Sequence, residues 1–353
     1  MSGRVDLAAC PSRLAPFVDD VGVAWDARTP GLEPIAQLTP EVALELRDHR
    51  DTLGGPVAPA GMAVDLQAFP ALRRLARTVL LQRLDHGAGF VVLRGLGALE
   101  LTPDQMQAAF WRFCVAMGEP MVQKAGNVRF GRVADLGRPA SSRPRYHETA
   151  VGGSVHTDSP IMPQVADLVG LLCLRAAEQG GQSRFVSVAR VHNILLRQAP
   201  DLLGELYGLF DFDRRIPADD VSDTNPPLLR APIFSYAPDQ GAYGLRLRWQ
   251  PEYVWEAASL PGASPLSERR RLALHLLEGV LEDRSNAITR QVAMIPGDMQ
   301  FLNNHRIAHG RAAFFDPPVT VGTDGPRREM RRVWLRRHPA SSLPAVQEAP
   351  CRR

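Results

Sequence analysis

The residues that could do chemistry begin at His156-Thr157-Asp158. Along a strand, residues two apart point to the same side, so an imidazole and a carboxylate at that spacing can hold one ion. The motif follows AVGGSV and precedes Ser159-Pro160, which reads as an extended run reaching a turn. Alone it is a weak signal, since a packing or surface histidine explains it as well. The chain also carries a decoy, His49-Arg50-Asp51, in the helix-like run LTPEVALELRDHRD. Positions two apart there diverge by roughly 200° around a helix axis and cannot share a ligand. A third ligand must come from elsewhere, and His309 in PGDMQFLNNHRIAHGRAAFFD is the candidate. Gly297-Asp298 reads as a turn, and Met299 to Leu302 and Ile307 to Gly310 as strands, so His309 falls at the edge of β structure. His305 competes with it but reads as a polar turn residue. Two imidazoles and a carboxylate on one face of an octahedron leave the other face open, which suits non-haem Fe(II) chemistry. His147, His192 and His275 lack a carboxylate two positions on and are read as structural.

The run Arg327 to Trp334, RREMRRVW, alternates with period two. As a strand it puts Arg328, Met330, Arg332 and Trp334 on one face and Glu329, Arg331, Val333 and Leu335 on the other. Arginines aimed into a protein interior need anions, and a guanidinium fork suits a carboxylate bound through two parallel hydrogen bonds. A solvated edge strand with an Arg-rich outer face is the plain alternative.

These residues need elements to hold them. With 353 residues, 45% hydrophobic and 22% charged, the chain has the make-up of one large or two modest globular domains. No apolar run nears the roughly 18 to 20 residues of a membrane helix, and MSGRVDLAAC lacks the apolar centre of a signal peptide, so a cytoplasmic protein with no membrane partner is expected. Cys10, Cys114, Cys173 and Cys351 are scattered without a C-x-x-C pair and suggest neither disulfides nor a thiolate metal site. The net charge of +3 is carried almost entirely by Arg, with Lys124 the sole lysine, and the one dense basic cluster is the alternating run above. Nucleic acid is therefore not an expected partner. Helices are predicted after Thr39-Pro40-Glu41, over about 70 to 85, from the capping box Thr102-Pro103-Asp104-Gln105 through Phe113, and near 187 to 208 and 264 to 283. GFVVLRGL, residues 89 to 96, reads as a buried strand, and short β-rich runs dominate from about 120 onward. The expected fold is mainly β with α, a sandwich or barrel core with helices packed outside. We divide the chain into an N-terminal extension (1–65), a single domain (66–340) and a tail (341–353). The proline-rich stretch from Ile216 to Gln250, with Phe234, Tyr236, Tyr243 and Trp249, is expected to be a lid over the metal. If it is not, the substrate wall should lie in 123–127 and 146–154.

In this order the motifs resemble the Fe(II)/2-oxoglutarate-dependent oxygenases of the taurine dioxygenase and clavaminate synthase-like superfamily. The resemblance rests on His156-Thr157-Asp158, Gly180-Gly181-Gln182-Ser183, Asn304 to Arg311 with His309, and the arginine strand from Arg327 to Arg332. It covers roughly residues 87 to 337. It implies a double-stranded β-helix (jelly-roll) core flanked by helices. It also implies His156, Asp158 and His309 as iron ligands, Arg328 with Ser183 on the distal carboxylate of 2-oxoglutarate, and Arg332 near the cosubstrate or an anionic substrate group. Fe(II), 2-oxoglutarate and O2 would together oxidise a C–H bond of a small molecule, most simply by hydroxylation, releasing succinate and CO2. Retention of Asp158 argues against halogenation, because related halogenases carry a small residue there. Desaturation or ring formation would use the same residues. A zinc hydrolase with the same three ligands is the alternative from another class, and a metal-free binding protein is a third. The arginine clamp argues against the hydrolase, and the intact ligand set against the binding protein. Substrate identity and oligomeric state stay open.

Overall fold

The computed structural model describes residues 4–6, 13–135, 149–222, 225–283, 285, 287–316 and 327–338. Two sheets face one another. The larger runs, in spatial order, through Ile35–Gln37, Phe90–Arg94, Met299–Asn303, Leu168–Arg175, Glu329–Arg337 and Gly118–Pro120, with Gly131–Ala134 also pairing the arginine strand. The smaller comprises Thr289–Val292, Ser183–Ser187 and Ile307–Arg311, extended by a backbone bridge between His156 and His309. Alternation sorts each strand between two environments. Phe90, Val92, Val169, Leu302 and Trp334 point from the larger sheet into the sandwich, where they meet Phe185, Val292 and Ile307 of the smaller. Phe90 and Phe185 stack with ring centroids 4.3 Å apart. Val91, Leu93, Met299, Phe301, Val333 and Leu335 point outward into a second core beneath the helices Pro40–Asp48, Pro70–Thr78 and Pro103–Met117. Behind the smaller sheet, Val155, Val186 and Ala308 join a third core with the helices Val188–Gln198, Pro200–Leu206 and Glu268–Leu281. Helices thus cover both outer faces. No helix of the described residues is long and apolar enough to cross a membrane.

The caps follow local chemistry. Thr39 Oγ1 accepts from Val42 N, and Thr102 and Gln105 form the reciprocal box read from the sequence. The helix from Thr102 runs four residues past Phe113, to Met117, before Gly118 ends it. Phe69 cannot cap the helix from Pro70; Glu45 of the preceding helix does so instead, accepting from Ala71 N and Leu72 N at 2.7 and 2.8 Å. The helix expected over 70 to 85 is continuous but widens to π geometry from Val79 to Asp85. Pro200 splits the one expected over 187 to 208 in two.

Two of the expected regions contribute to the common cores. The described part of 1–65 is built into the domain: Trp25 is fully buried against Phe90 and donates to Ala88 O at 2.8 Å, Ile35–Gln37 adds a parallel edge strand, and Val42, Leu46 and Leu53 fill the core under the helices. Residues 339–353, with the expected tail, lie outside the described residues, as does His147. The stretch from Ile216 to Gln250 is largely wall material. It forms Leu228–Pro232, Phe234–Tyr236 and Leu245–Leu247, and it buries Leu229, Ile233, Phe234, Leu247 and Trp249 in the core behind the smaller sheet. Its aromatic residues serve packing because the alternating runs LLRAPIF and LRLRW are strands, which the interspersed prolines disguise.

Candidate metal centre and its two pockets

His156 and His309 sit on adjacent extended segments that exchange both backbone hydrogen bonds, His156 N to His309 O at 2.8 Å and His309 N to His156 O at 2.7 Å. This pairing sets the imidazole centroids 4.7 Å apart. Asp158 completes the cluster, with Oδ1 3.9 Å from His156 Nε2 and Oδ2 3.6 Å from His309 Nε2, and all three side chains are buried. His156 Nδ1 lies 2.8 Å from Ser154 O. A carbonyl can only accept, so Nδ1 carries the proton and the Nε2 lone pair is aimed at the cluster. Asn304, fully buried, pins the loop: its Oδ1 accepts from Asp158 N at 2.8 Å and its Nδ2 donates to the carbonyls of Asp158 and Ala166, each at 2.9 Å. Thr157 is tied to Trp249 by Thr157 N to Trp249 O at 2.7 Å and Trp249 N to Thr157 Oγ1 at 2.9 Å.

The electrostatics prepare the cluster for a cation. Burial, aided by the second imidazole, pushes His156 down to about 4. Burial by itself would raise the Asp158 carboxyl, but Arg332 and the two imidazoles outweigh it and hold the group well below the usual carboxylate range. At neutral pH the cluster offers a carboxylate and a neutral His156. Asp158 Oδ2 and His309 Nδ1 are buried with no hydrogen-bond partner among the described residues. A carboxylate oxygen in that condition is what a bound ion would satisfy, and the donor set of two nitrogens and one oxygen suits Fe(II).

An inner pocket extends from the cluster between the sheets, lined by Ser183, Gln300, Arg311, Arg328, Met330 and Arg332 among others. Arg328, Met330 and Arg332 therefore share the interior face, as the alternation requires. Arg331 turns the other way, donating to Gln107 of the helix Pro103–Met117 at 2.7 Å and pairing with Glu329 at 2.7 Å. Arg328 is 4% exposed, and a guanidinium in such a pocket suits an anionic occupant. Gly180 and Gly181 have positive φ of 76° and 73°, and a Cβ on Gly181 would come within 3.3 Å of Arg328 Nε. The two glycines thus let the chain pass close behind the guanidinium and enter the strand of Ser183. Ser183 Oγ lies 3.5 Å from Met294 Sδ.

An outer cavity of about 260 Å³ opens on the other side of the cluster. Its walls are Gln123, Thr149, residues 151 to 154, residues 159 to 162, Arg215, Gln250, Glu252, Tyr253 and Trp334. Of the described residues in 216–250, Gln250 alone lines it, whereas Gln123, Thr149 and residues 151 to 154 all do. Arg332 divides the two spaces. Its Nη1 donates to Asp158 Oδ1 at 3.1 Å, its Nε donates to Gln123 Oε1 at 2.9 Å, and its guanidinium lies over Trp334.

The competing histidines are accounted for. His305 Nε2 contacts Asp167 at 2.8 Å outside the cluster, His192 is buried against the Tyr207 hydroxyl at 2.9 Å, and His275 stacks on Trp255 beside Glu278. The decoy at 49–51 lies where the helix Pro40–Asp48 gives way to a 3-10 turn, as its pattern implies. Sequence reasoning missed Gln300 and Arg311, although each stands two residues from an inward position, Leu302 and His309. Arg311 donates to the carbonyls of Thr149 and Val151 at 2.9 and 2.6 Å, joining the inner pocket to the outer wall. Glu252, Tyr253 and Arg215 carried no sequence signal.

The comparisons with known proteins follow the same line. The model of the family described as taurine catabolism dioxygenase TauD, TfdA family matches residues 51–334. FR-33289 synthase of Streptomyces rubellomurinus is 28% identical over 276 residues, spanning 77% of this chain and 76% of that protein. Taurine hydroxylase-like protein SAT17 of Stachybotrys chartarum is 25% identical over 279 residues, 78% and 68% of the two chains. Among solved structures, asparagine oxygenase superposes with a TM-score of 0.61 at 19% identity, covering 86% of this chain and 92% of that one. The non-heme iron oxygenase OrfP, in complex with Fe and alpha-ketoglutaric acid, gives 0.57 at 17% identity, with 86% and 93% covered. At such identities the structural likeness speaks for the fold. The match over most of the chain speaks for the family: the chain belongs to the taurine catabolism dioxygenase TauD, TfdA family, and it is a 2-oxoglutarate-dependent non-haem iron dioxygenase, not a zinc hydrolase built on the same three ligands.

Proposed function

We propose that the protein hydroxylates an unactivated C–H bond of a small, polar, amino-acid-derived or carboxylated molecule, with release of succinate and CO2. The observation that carries this is the placement of Arg328 on the same interior face as Arg332, lining one inner pocket with the His156, Asp158 and His309 cluster. A buried guanidinium facing a metal-ligand set from within one pocket suits a dicarboxylate that reaches both. His156, Asp158 and His309 would hold Fe(II), and Arg328, assisted by Ser183, would bind the distal carboxylate of 2-oxoglutarate. The iron supplies O2 activation coupled to decarboxylation of that cosubstrate. What the chain's own residues do is bind, orient and keep water out. Ser154 O fixes the His156 tautomer, Arg332 and Asn304 fix the Asp158 carboxylate and its backbone, and Trp334, Ile161 and Met162 give the outer cavity apolar wall. We read the two facing sheets as a double-stranded β-helix, in line with the solved oxygenases of similar fold.

The cavity of about 260 Å³ fits a molecule of amino-acid size, below the roughly 300 to 1,000 Å³ of drug-sized sites. Asparagine oxygenase and OrfP, with hydroxyasparagine and hydroxyarginine in their structures, are neighbours of that kind. The test is succinate formation from 2-oxoglutarate with each of Fe(II), O2 and a candidate compound omitted in turn. Product mass 16 Da above substrate supports hydroxylation. A product 2 Da lighter moves the reading to desaturation or ring closure, and succinate formation indifferent to iron removes it.

A further inference from the structure

Among the described residues, the outer cavity carries one charge that no opposite charge pairs with. Its acidic and basic lining side chains, the Tyr253 phenol aside, are His156, Asp158, Arg215, Glu252 and Arg332. Arg332 donates to Asp158, and Arg215 donates to both carboxylate oxygens of Glu256 at 3.0 and 2.9 Å while lying over the Tyr253 ring. Glu252 differs. Its Oε1 accepts from the Ser154 hydroxyl at 3.1 Å and its Oε2 from the Gln250 amide at 3.0 Å, both neutral donors, and no cation pairs with it among the described residues. Two neutral donors hold the carboxylate in place without cancelling it. It is held by Ser154, two residues from His156, and lines the same cavity as His156 and Asp158, so it stands beside the metal-ligand cluster and not at a remote rim.

We infer that the substrate of this oxygenase carries a cationic nitrogen, an ammonium or protonated amine, that seats against Glu252. The inference rests on the oxygenase reading above and names the charge class its outer cavity selects. An anionic substrate without such a nitrogen would meet an uncompensated carboxylate in a confined space, which disfavours it. A carboxylated molecule is still admitted if it is a zwitterion, with its cationic end at Glu252. Ser154 links this contact to the metal, since its hydroxyl donates to Glu252 and its carbonyl accepts from His156. Binding of the cation would therefore fix the substrate relative to the imidazole.

The test is anaerobic calorimetry on the full chain loaded with Fe(II) and 2-oxoglutarate, titrated with matched pairs. L-amino acids, their amides and simple primary amines are each compared with the N-acetylated counterpart. We expect binding to be confined to compounds with the free amine and to weaken at least ten-fold in Glu252→Gln, which keeps the shape and removes the charge. Glu252→Arg should turn the residual preference toward the acylated members. The affinity for 2-oxoglutarate, measured on the same samples, reports whether the variants are folded. Equal binding of free and acylated members overturns the inference. So does an unchanged preference in Glu252→Gln, or a panel in which no free amine binds. The oxygenase reading is judged separately, by whether 2-oxoglutarate binding depends on Fe(II). Either can fail without the other.

Discussion

The inner pocket and the outer cavity meet at Arg332, yet they are made of different material. The inner pocket is lined mainly by strand residues: Ser183, Gln300, His309, Arg311, Met330 and Arg332 lie within strands, Arg328 immediately precedes one, and their direction follows from a period of two. The outer cavity is lined mostly by residues outside regular strands, at 149–154 and 159–162, together with the short helix Pro251–Ala257. A strand ties the direction of every side chain to its neighbours, whereas a loop does not. The contrast shows which half of the chemistry is set by the scaffold and which half can vary while the scaffold stays.

The largest expected effect comes from the ligands. His309→Ala should abolish iron binding and turnover together while the fold survives, because the His156 and Asp158 pair left behind chelates weakly and the strand Ile307–Arg311 keeps its backbone ladder with Ser183–Ser187. Titration of Fe(II) into the variant checks it, and unchanged affinity would break the assignment of the triad. Next is the arginine strand. Arg328→Ala should raise the concentration of 2-oxoglutarate needed for half-maximal turnover by roughly two to four orders of magnitude, the equivalent of about 3 to 5 kcal/mol for a buried carboxylate left without its partner. Arg331→Ala, on the opposite face, should cost about 1 kcal/mol of stability and leave that concentration unchanged. If both variants behaved alike, the scaffold half would be no more determined than the loop half.

Asn304→Ala sharpens the comparison from the middle, since Asn304 joins a strand-end turn to the loop of Asp158. Losing three buried hydrogen bonds should lower stability by about 2 to 3 kcal/mol and weaken iron binding, as read by urea denaturation and metal titration. The smallest effect is expected at the proline-rich stretch. Deleting residues 222–225, where Ser222 and Asn225 exchange backbone hydrogen bonds, should leave the ratio of succinate to product as it was, because among the described residues that stretch reaches the outer cavity only at Gln250. A rise in that ratio would restore the lid.

The same physics explains what could be read in advance. His156, Asp158, Arg328 and Arg332 were legible because strand periodicity converts spacing into shared direction, and the caps at Thr39 and Thr102 because they are local chemistry. Glu252 was not, since its approach to Ser154 depends on a contact between residues 98 positions apart. Trp25 and the edge strand Ile35–Gln37 were hidden by proline and glycine punctuation, which marks turns but does not tell a turn on the surface from one that returns a tryptophan to the core. In the stretch 216–250 the prolines likewise draw attention away from the alternating strands.

The reciprocal backbone pair between His156 and His309 has a consequence for how the protein acquires its metal. Because the ladder holds the two imidazoles in register, chelators should strip the ion without melting the chain, unlike small zinc domains in which folding and metal binding are one event. Loading then becomes a local association with little heat-capacity change. The apo form can persist in the cell as a competent reservoir, and whichever divalent ion is most abundant at the moment of loading decides whether a given molecule is active.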